Sequence, residues 1–231
     1  MSEIAVNLTT VRARIAAACE AVGRDPSEVR LLPVSKTRPA GDVRTAYEAG
    51  CRRFGENRPQ ELVAKAVELA ALPGLSWAMI GHLQRNKAGL VAAHAAEYEG
   101  LDSLELAVEL DRRLQRLGRS LDVLIQVNTS GESTKSGLAP SEVAEFAAGL
   151  RGLDCLQVRG LMTIAANTPE RARVAACFSL LAQLQARLRE ANIDGQSYDE
   201  LSMGMSGDYE LAIAHGATVV RLGTAIFGAR G

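Results

Sequence analysis

The residue best placed for covalent chemistry is Lys36, which closes the apolar run Leu31-Leu32-Pro33-Val34-Ser35. A primary amine there can form a Schiff base with an aldehyde or ketone, provided that it is uncharged. An unperturbed lysine titrates near about 10.4, so such an amine must be enclosed where desolvation disfavours the ammonium. A strand-end lysine is ordinarily a solvated charge, and position alone does not lift Lys36 out of that class. Its company matters more. Gly204-Met205-Ser206-Gly207 and Gly223-Thr224 each follow a β-type run late in the chain. Both offer backbone N–H groups of the kind that hold phosphate. Taken singly, Ser206 would cap a helix and the glycines would serve tight turns. Two such turns beside a strand-end lysine point to phosphate.

The elements that would position these groups recur down the chain as a short apolar run, a turn and an amphipathic helix. Strands are expected near 30–35, 52–56, 76–81, 96–101, 121–128, 156–163, 198–204 and 218–223. Helices are expected near 40–49, 58–71, 85–94, 103–117, 140–150, 168–191 and 207–215. An additional N-terminal helix carries Val6, Val11, Ile15, Ala18 and Val22 and stops at Gly23. Pro39 opens the 40–49 helix and Gly50 ends it. The run Asp122 to Asn128 is apolar on both faces, as a parallel strand covered by helices must be. On helix 168–191, Val174, Phe178, Leu181, Leu184 and Leu188 form one stripe. Eight strands alternating with helices predict the α/β class and a (β/α)8 barrel, with a doubly wound open sheet as the competing architecture. No Pro/Gly/Ser-rich linker interrupts residues 1–231, so one domain is expected. The chain stops just after the eighth strand, and the N-terminal helix is expected to cover the face that an eighth helix would occupy.

In a barrel, chemistry sits at the carboxyl ends of the strands, and phosphate commonly binds after the seventh and eighth. Those ends are Lys36, Glu56-Asn57, Gly81-His82, Asn128, Met162-Thr163, Ser202 to Ser206, and Arg221 to Thr224.

Other classes of function are excluded on composition. The net charge is −1 with signs mixed throughout, so no basic stripe invites nucleic acid. Cys19, Cys51, Cys155 and Cys177 form no CxxC pair, and His82, His94 and His215 have no metal-ligand spacing. Neither a zinc site nor a disulfide framework is expected. No apolar stretch reaches membrane-span length and no signal-peptide core is present. A cytoplasmic protein is expected. Gly131-Glu132-Ser133-Thr134-Lys135-Ser136-Gly137 lacks the Gly-Lys-Ser/Thr order of a P-loop. It reads as a mobile loop over the barrel mouth, with Lys135 within reach of a ligand or partner. The cluster Arg85-Asn86-Lys87 starts a helix and reads as solvated.

Six blocks carry a family resemblance. They are Val34-Ser35-Lys36-Thr37, Phe54-Gly55-Glu56-Asn57, Gly81 to Lys87, Gly160-Leu161-Met162-Thr163, Leu201 to Asp208, and Val220 to Gly228. In this order they closely resemble the pyridoxal phosphate homeostasis proteins, over nearly the whole chain. The fold this implies is the barrel of the N-terminal domain of alanine racemase. The cofactor implied is pyridoxal 5'-phosphate, held as a Schiff base on Lys36. The resemblance implies phosphate contacts at Ser206, Gly223 and Thr224, and Arg221 against the pyridine nitrogen. It also implies Asn57, His82 and Met162 around the ring, with Ser202 in the same cofactor-binding set. Arg38 stands where many relatives carry lysine, which keeps the charge but removes a second amine.

Arg221 limits the chemistry. A guanidinium will not hand a proton to the pyridine nitrogen, so the ring stays a weak electron sink. Racemisation survives that restriction but needs two bases on opposite faces of the substrate. In alanine racemase the second is a tyrosine from an additional C-terminal β domain of the partner subunit, and no such domain is expected here. Tyr47, Tyr98, Tyr198 and Tyr209 remain as candidates. The expected function is therefore a carrier that buffers or delivers the cofactor within the cell, with no dedicated catalytic residue. Pyridoxal phosphate-dependent apo-enzymes are the expected recipients. A low-efficiency amino-acid racemase is the alternative. A monomer is expected, because the racemase dimer leans on the missing domain.

Overall fold

A computed structural model describes residues 2–193 and 196–229. Its centre is an eight-stranded parallel sheet: β1 (Arg30–Pro33), β2 (Arg53–Glu56), β3 (Ser76–Met79), β4 (Glu97–Leu101), β5 (Leu121–Gln126), β6 (Leu156–Met162), β7 (Glu200–Ser202) and β8 (Val219–Leu222). The strand order is β1-β8-β7-β6-β5-β4-β3-β2. The ring closes where Val34 bridges Gly55 in parallel and Ser35 N–H donates to the Gly55 carbonyl at 3.0 Å. This is the (β/α)8 barrel that the alternating pattern predicts, not an open sheet.

Helices α2 (Ala40–Glu48), α3 (Pro59–Glu68), α4 (Ala88–His94), α5 (Leu104–Leu117), α6 (Val143–Gly149), α7 (Arg171–Ala191) and α8 (Tyr209–Ala214) alternate with the strands. Each turns an apolar stripe inward. On α5, Leu106, Ala107, Leu110 and Leu114 are buried, Ser103 caps the start by accepting from Leu106 N–H, and Gly118 in the left-handed region ends it. On α7 the stripe is the expected Val174, Phe178, Leu181, Leu184 and Leu188.

The N-terminal helix α1 (Glu3–Glu20) buries Leu8, Val11, Ile15 and Cys19. Val6 and Val22, expected on that stripe, are exposed. Apolar residues lie around much of this helix, so spacing alone gave two rival faces. Docking decides between them: Asn7 Nδ2 donates to the Ile226 carbonyl at 3.0 Å and Arg24 Nη1 to those of Ile213 and Ala217. Helix α1 thus covers the β8 side, as expected. A short helix, α9 (Thr224–Phe227), follows β8 where only a turn was expected.

Several strands are shorter than expected. β7 spans three residues because Tyr198 before it has φ +48° and Gly204 after it has φ +94°. β5 stops at Gln126, and Val127 bridges Leu138 across the following loop. Residues 85–87 form a 3₁₀ turn before α4 begins at Ala88. Between β6 and β7 the strands meet at Gly160, where a Cβ would collide with the Glu200 backbone. Among the described residues no helix is long and apolar enough to cross a membrane.

Candidate functional site

Lys36 lies half-buried in the turn leaving β1, followed by Thr37 at φ +63°. A β-branched residue in that region is held by its surroundings, and the holding group here is ionic. Lys65 Nζ, on the inner face of α3, donates to the Ser35 carbonyl at 2.6 Å, to Glu56 Oε1 at 2.6 Å and to Glu61 Oε1 at 2.8 Å. Ser35 Oγ donates to the same Glu56 oxygen at 2.6 Å, and Thr37 N–H donates to Glu61 Oε1 at 2.6 Å. Burial pushes the Glu56 carboxyl up, against the hydrogen bonds from Lys65 and Ser35 that favour its charged form. The turn bearing Lys36 is therefore clamped on both sides. Sequence reasoning missed this clamp. Its signal was a charge on an apolar stripe, with Lys65 between Leu62 and Leu69.

Arg221 enters from β8 and is 5 % exposed. Nη1 donates to Ser202 Oγ at 2.6 Å and Nη2 to the Thr163 carbonyl at 2.7 Å. Ser202 in turn donates to Glu99 Oε2 at 2.7 Å. The Ser202 hydroxyl thus serves the guanidinium and a buried carboxyl. Desolvation lowers the Arg221 pKa, and nearby Glu99 opposes that shift.

The two late turns meet. Ser206, in the β7–α8 turn, accepts from Ala225 N–H at 3.3 Å, which joins it to the Gly223-Thr224 turn at the head of α9. Ser206 does not cap α8, whose N-cap is Asp208. Gly204 is required here: a Cβ would stand 2.6 Å from Ala212 Cβ and 2.9 Å from Tyr209 Cα.

A cavity of about 240 Å³ at the mouth is lined by Asn57, Gly81, His82, Asn128, Lys135 and Ile164, among others. Asn57 Oδ1 is buried there without a hydrogen-bond partner, an acceptor that a ligand donor would satisfy. His82 is exposed at its rim, whereas Met162 is buried in register with Gln126 and Ser202. A larger cavity of about 650 Å³ opens beside Ser206 and is also lined by Lys135, Arg14, Arg171 and Asp208. The loop carrying Lys135, expected to be mobile, makes several hydrogen bonds to its surroundings. Asn128 Nδ2 donates to the Glu132 carbonyl at 2.8 Å, Gly137 N–H to Asp102 Oδ2 at 3.0 Å, and Lys135 Nζ to the Ala165 carbonyl at 2.8 Å. Arg38 spans to the other side, donating to the Gly228 and Ala229 carbonyls.

Of the four tyrosines, Tyr209 lines the larger cavity, whereas Tyr47, Tyr98 and Tyr198 line neither. Tyr47 Oη donates to the Pro73 carbonyl and Tyr98 Oη, fully buried, to that of Gly100. Tyr198 is fully buried, and the Tyr209 ring lies under Arg14. The four cysteines are free thiols, and among the described residues no group of three or more His, Cys, Asp or Glu could hold a metal ion.

Comparison with known proteins follows the same outline. The family described as "Alanine racemase, N-terminal domain" matches residues 6–231. The chain is 48% identical over 231 residues to a protein of Pseudomonas aeruginosa named pyridoxal phosphate homeostasis protein, covering 100% of this chain and 97% of that one. It is 44% identical to one of the same name from Escherichia coli (strain K12), covering 100% and 98%. PipY of Synechococcus elongatus PCC7942, solved with PLP bound, superposes with a TM-score of 0.87 at 39% identity, covering 97% of this chain and 100% of that one. Alanine racemase of Clostridium difficile 630 shares the fold at a TM-score of 0.74 and 17% identity, with 57% of that chain covered.

Proposed function

This chain belongs to the pyridoxal phosphate homeostasis protein family, and from that premise we propose that it holds pyridoxal 5'-phosphate reversibly as a Schiff base on Lys36, buffering or delivering the cofactor inside the cell. The observation that carries this reading is the convergence on one barrel mouth of a clamped amine turn, a fixed guanidinium and two joined turns. The residues present fit such a molecule. The cofactor would supply an aldehyde for the amine, a phosphate for the turns and an aromatic nitrogen for a donor.

Each group then has a task. Lys36 anchors, and the Lys65–Glu56–Glu61 clamp fixes the backbone from which it reaches. Backbone N–H groups of the Gly204 to Gly207 and Gly223-Thr224 turns, with the Ser206 and Thr224 hydroxyls, hold the phosphate. Arg221 donates to the pyridine nitrogen without protonating it, which keeps carbanion chemistry weak. Ser202 acts on Arg221. Asn57, His82 and Met162 border the ring. In this reading no tyrosine is assigned as a second base, so the site would retain its cofactor without a dedicated turnover reaction, with pyridoxal phosphate-dependent apo-enzymes as the recipients.

Purified protein should take up pyridoxal phosphate and turn yellow, and borohydride should fix the label on Lys36 in a peptide map. Lys36→Ala should lose both. A protein that stays colourless with added cofactor would sink the reading. The fold shared with alanine racemase, together with Arg221, supports a second reading as a slow amino-acid racemase. Lys36-dependent exchange of α-protons in deuterated water, well above that of free cofactor, would favour it.

A further inference from the structure

Beneath the site lies a carboxyl group for which the proposed function has no use. Glu99 projects from β4 into the barrel and is completely buried. Its Oε2 accepts from Ser202 Oγ at 2.7 Å and lies 3.7 Å from Arg221 Nη1, and the carboxyl is also within hydrogen-bonding reach of Glu97. The Ser202 hydroxyl has a single proton to donate. Because that proton points to Glu99, the lone pairs of the oxygen are turned to receive Arg221 Nη1 at 2.6 Å. With Nη2 fixed on the Thr163 carbonyl at 2.7 Å, both ends of the guanidinium fork are set.

We propose that Glu99 is a positioning residue, which fixes the Arg221 guanidinium through Ser202 and sets by its own charge how much positive potential Arg221 presents to the cofactor's pyridine edge. Only the last clause rests on the function proposed above; the hold on Arg221 is a property of the chain alone.

The charged neighbours of Glu99 come from five strands. Glu97, two residues back on β4, accepts from Arg30 of β1 at 3.0 Å and pairs with Arg53 of β2. Arg30 also reaches Glu200 of β7 at 2.9 Å. Arg221 comes from β8, with Asp208 also acting on its charge. Burial pushes the Glu97 carboxyl up, but Glu99 and the two arginines hold it net below the usual carboxylate range. Burial first, then the charge of Glu97, pushes Glu99 up to about 8 against the pull of Arg221. Near neutral pH Glu99 keeps its proton, so the Arg221 charge is not cancelled from below. At higher pH the ionised carboxylate would draw on that charge at close range in a poorly screened interior.

The test uses Glu99→Gln, which keeps an acceptor but cannot ionise, and Glu99→Leu, which removes the acceptor. In cofactor-free protein, side-chain NMR of Arg221, assigned by comparison with R221K, should show slow guanidinium rotation in the wild type and E99Q and fast rotation in E99L. With pyridoxal phosphate bound, the visible band of the wild type should carry a pH step near that of Glu99, which E99Q lacks. Losing one charged hydrogen bond is worth about tenfold in affinity, so E99L should retain the cofactor about tenfold less well. Identical Arg221 rotation in all three proteins overturns the hold, and a pH step that persists in E99Q overturns the tuning. If E99L does not fold, E99Q against wild type still decides the tuning and Ser202→Ala decides the hold. A wild type that binds no cofactor would refute the functional reading and the tuning with it, while the rotation measurement would still judge the hold.

Discussion

Lys65 and Glu56 form a buried ion pair at 2.6 Å, and the same ammonium donates to the Ser35 carbonyl one residue before Lys36. Both side chains are almost wholly removed from water, so neither can lose its partner cheaply. The pair joins α3 to the end of β1 and the end of β2, close to the place where the barrel closes. It therefore couples ring closure to the position of the turn that bears Lys36.

Lys65→Met would leave Glu56 as an uncompensated buried carboxylate whose Oε2 already lacks a partner. Breaking such a pair costs about 3–5 kcal/mol, whereas replacing both members can be nearly neutral. Urea denaturation should show a large drop for K65M and recovery in K65M/E56Q. Thr37 would also lose the ordering of Glu61, which shares the ammonium, so borohydride labelling of Lys36 should slow in K65M. Equal stability of K65M and wild type would refute the clamp.

How far the sequence reaches differs from group to group. The placement of Lys36, Ser206 and Gly223 at strand ends was legible because strand ends follow from local periodicity, and a barrel makes such positions candidates for chemistry. Lys65, Glu97 and Glu99 were not singled out, because a charge on a buried face makes sense only with its partner, and the partners lie on other strands. The spacing of Glu97 and Glu99 within a strand is a signal that two carboxylates share one face. The face of α1 was misread between Val6 and Leu8 because its docking surface, α8 and α9, lies some 200 residues away in sequence.

Glu99 makes stability depend on pH with a definite sign. Its folded-state pKa is raised, to about 8, above that of an ordinary glutamate. The folded chain thus holds a proton that the unfolded chain releases, and the associated stability is complete below the ordinary carboxylate range. It is lost as pH rises through that range to about 8. Relative to E99Q, the wild type should lose up to about 1.4 kcal/mol per pH unit within that window. Thermal melts at pH 5.5, 7 and 8.5 should therefore show E99Q gaining on the wild type at each step. A constant difference across the three would mean that Glu99 ionises normally.

Gly204→Ala tests the turn that carries Ser206. At φ +94° an L side chain is strained, and the new methyl would also press on Ala212 Cβ and the Tyr209 backbone. Left-handed strain of about 1–2 kcal/mol and overpacking of about 1–3 kcal/mol should act together. The melting temperature should fall by several degrees. Inorganic phosphate, if it binds the joined turns, should stabilise the wild type more than G204A, as read by the shift in melting temperature with phosphate concentration.

Ser206→Ala addresses the junction itself. The hydroxyl accepts from Ala225 N–H at 3.3 Å and is half-buried, so its loss removes a modest neutral hydrogen bond between the β7–α8 turn and α9. The cost to folding should be about 0.5–1.5 kcal/mol, within reach of water to replace. The cost to the ligand should be larger, because a phosphate oxygen would lose a donor and the two turns would no longer be held at one spacing. Retention of pyridoxal phosphate on dialysis should fall about tenfold to a hundredfold, from a charged hydrogen bond of roughly 1.5–3 kcal/mol. In the proposed division of tasks the Schiff base would depend on Lys36 and its clamp, so borohydride should still label Lys36 in S206A at saturating cofactor. Weaker retention with intact labelling separates phosphate holding from amine anchoring. Loss of both together would show that the two late turns and the β1 turn act as one unit, against the division of tasks proposed here.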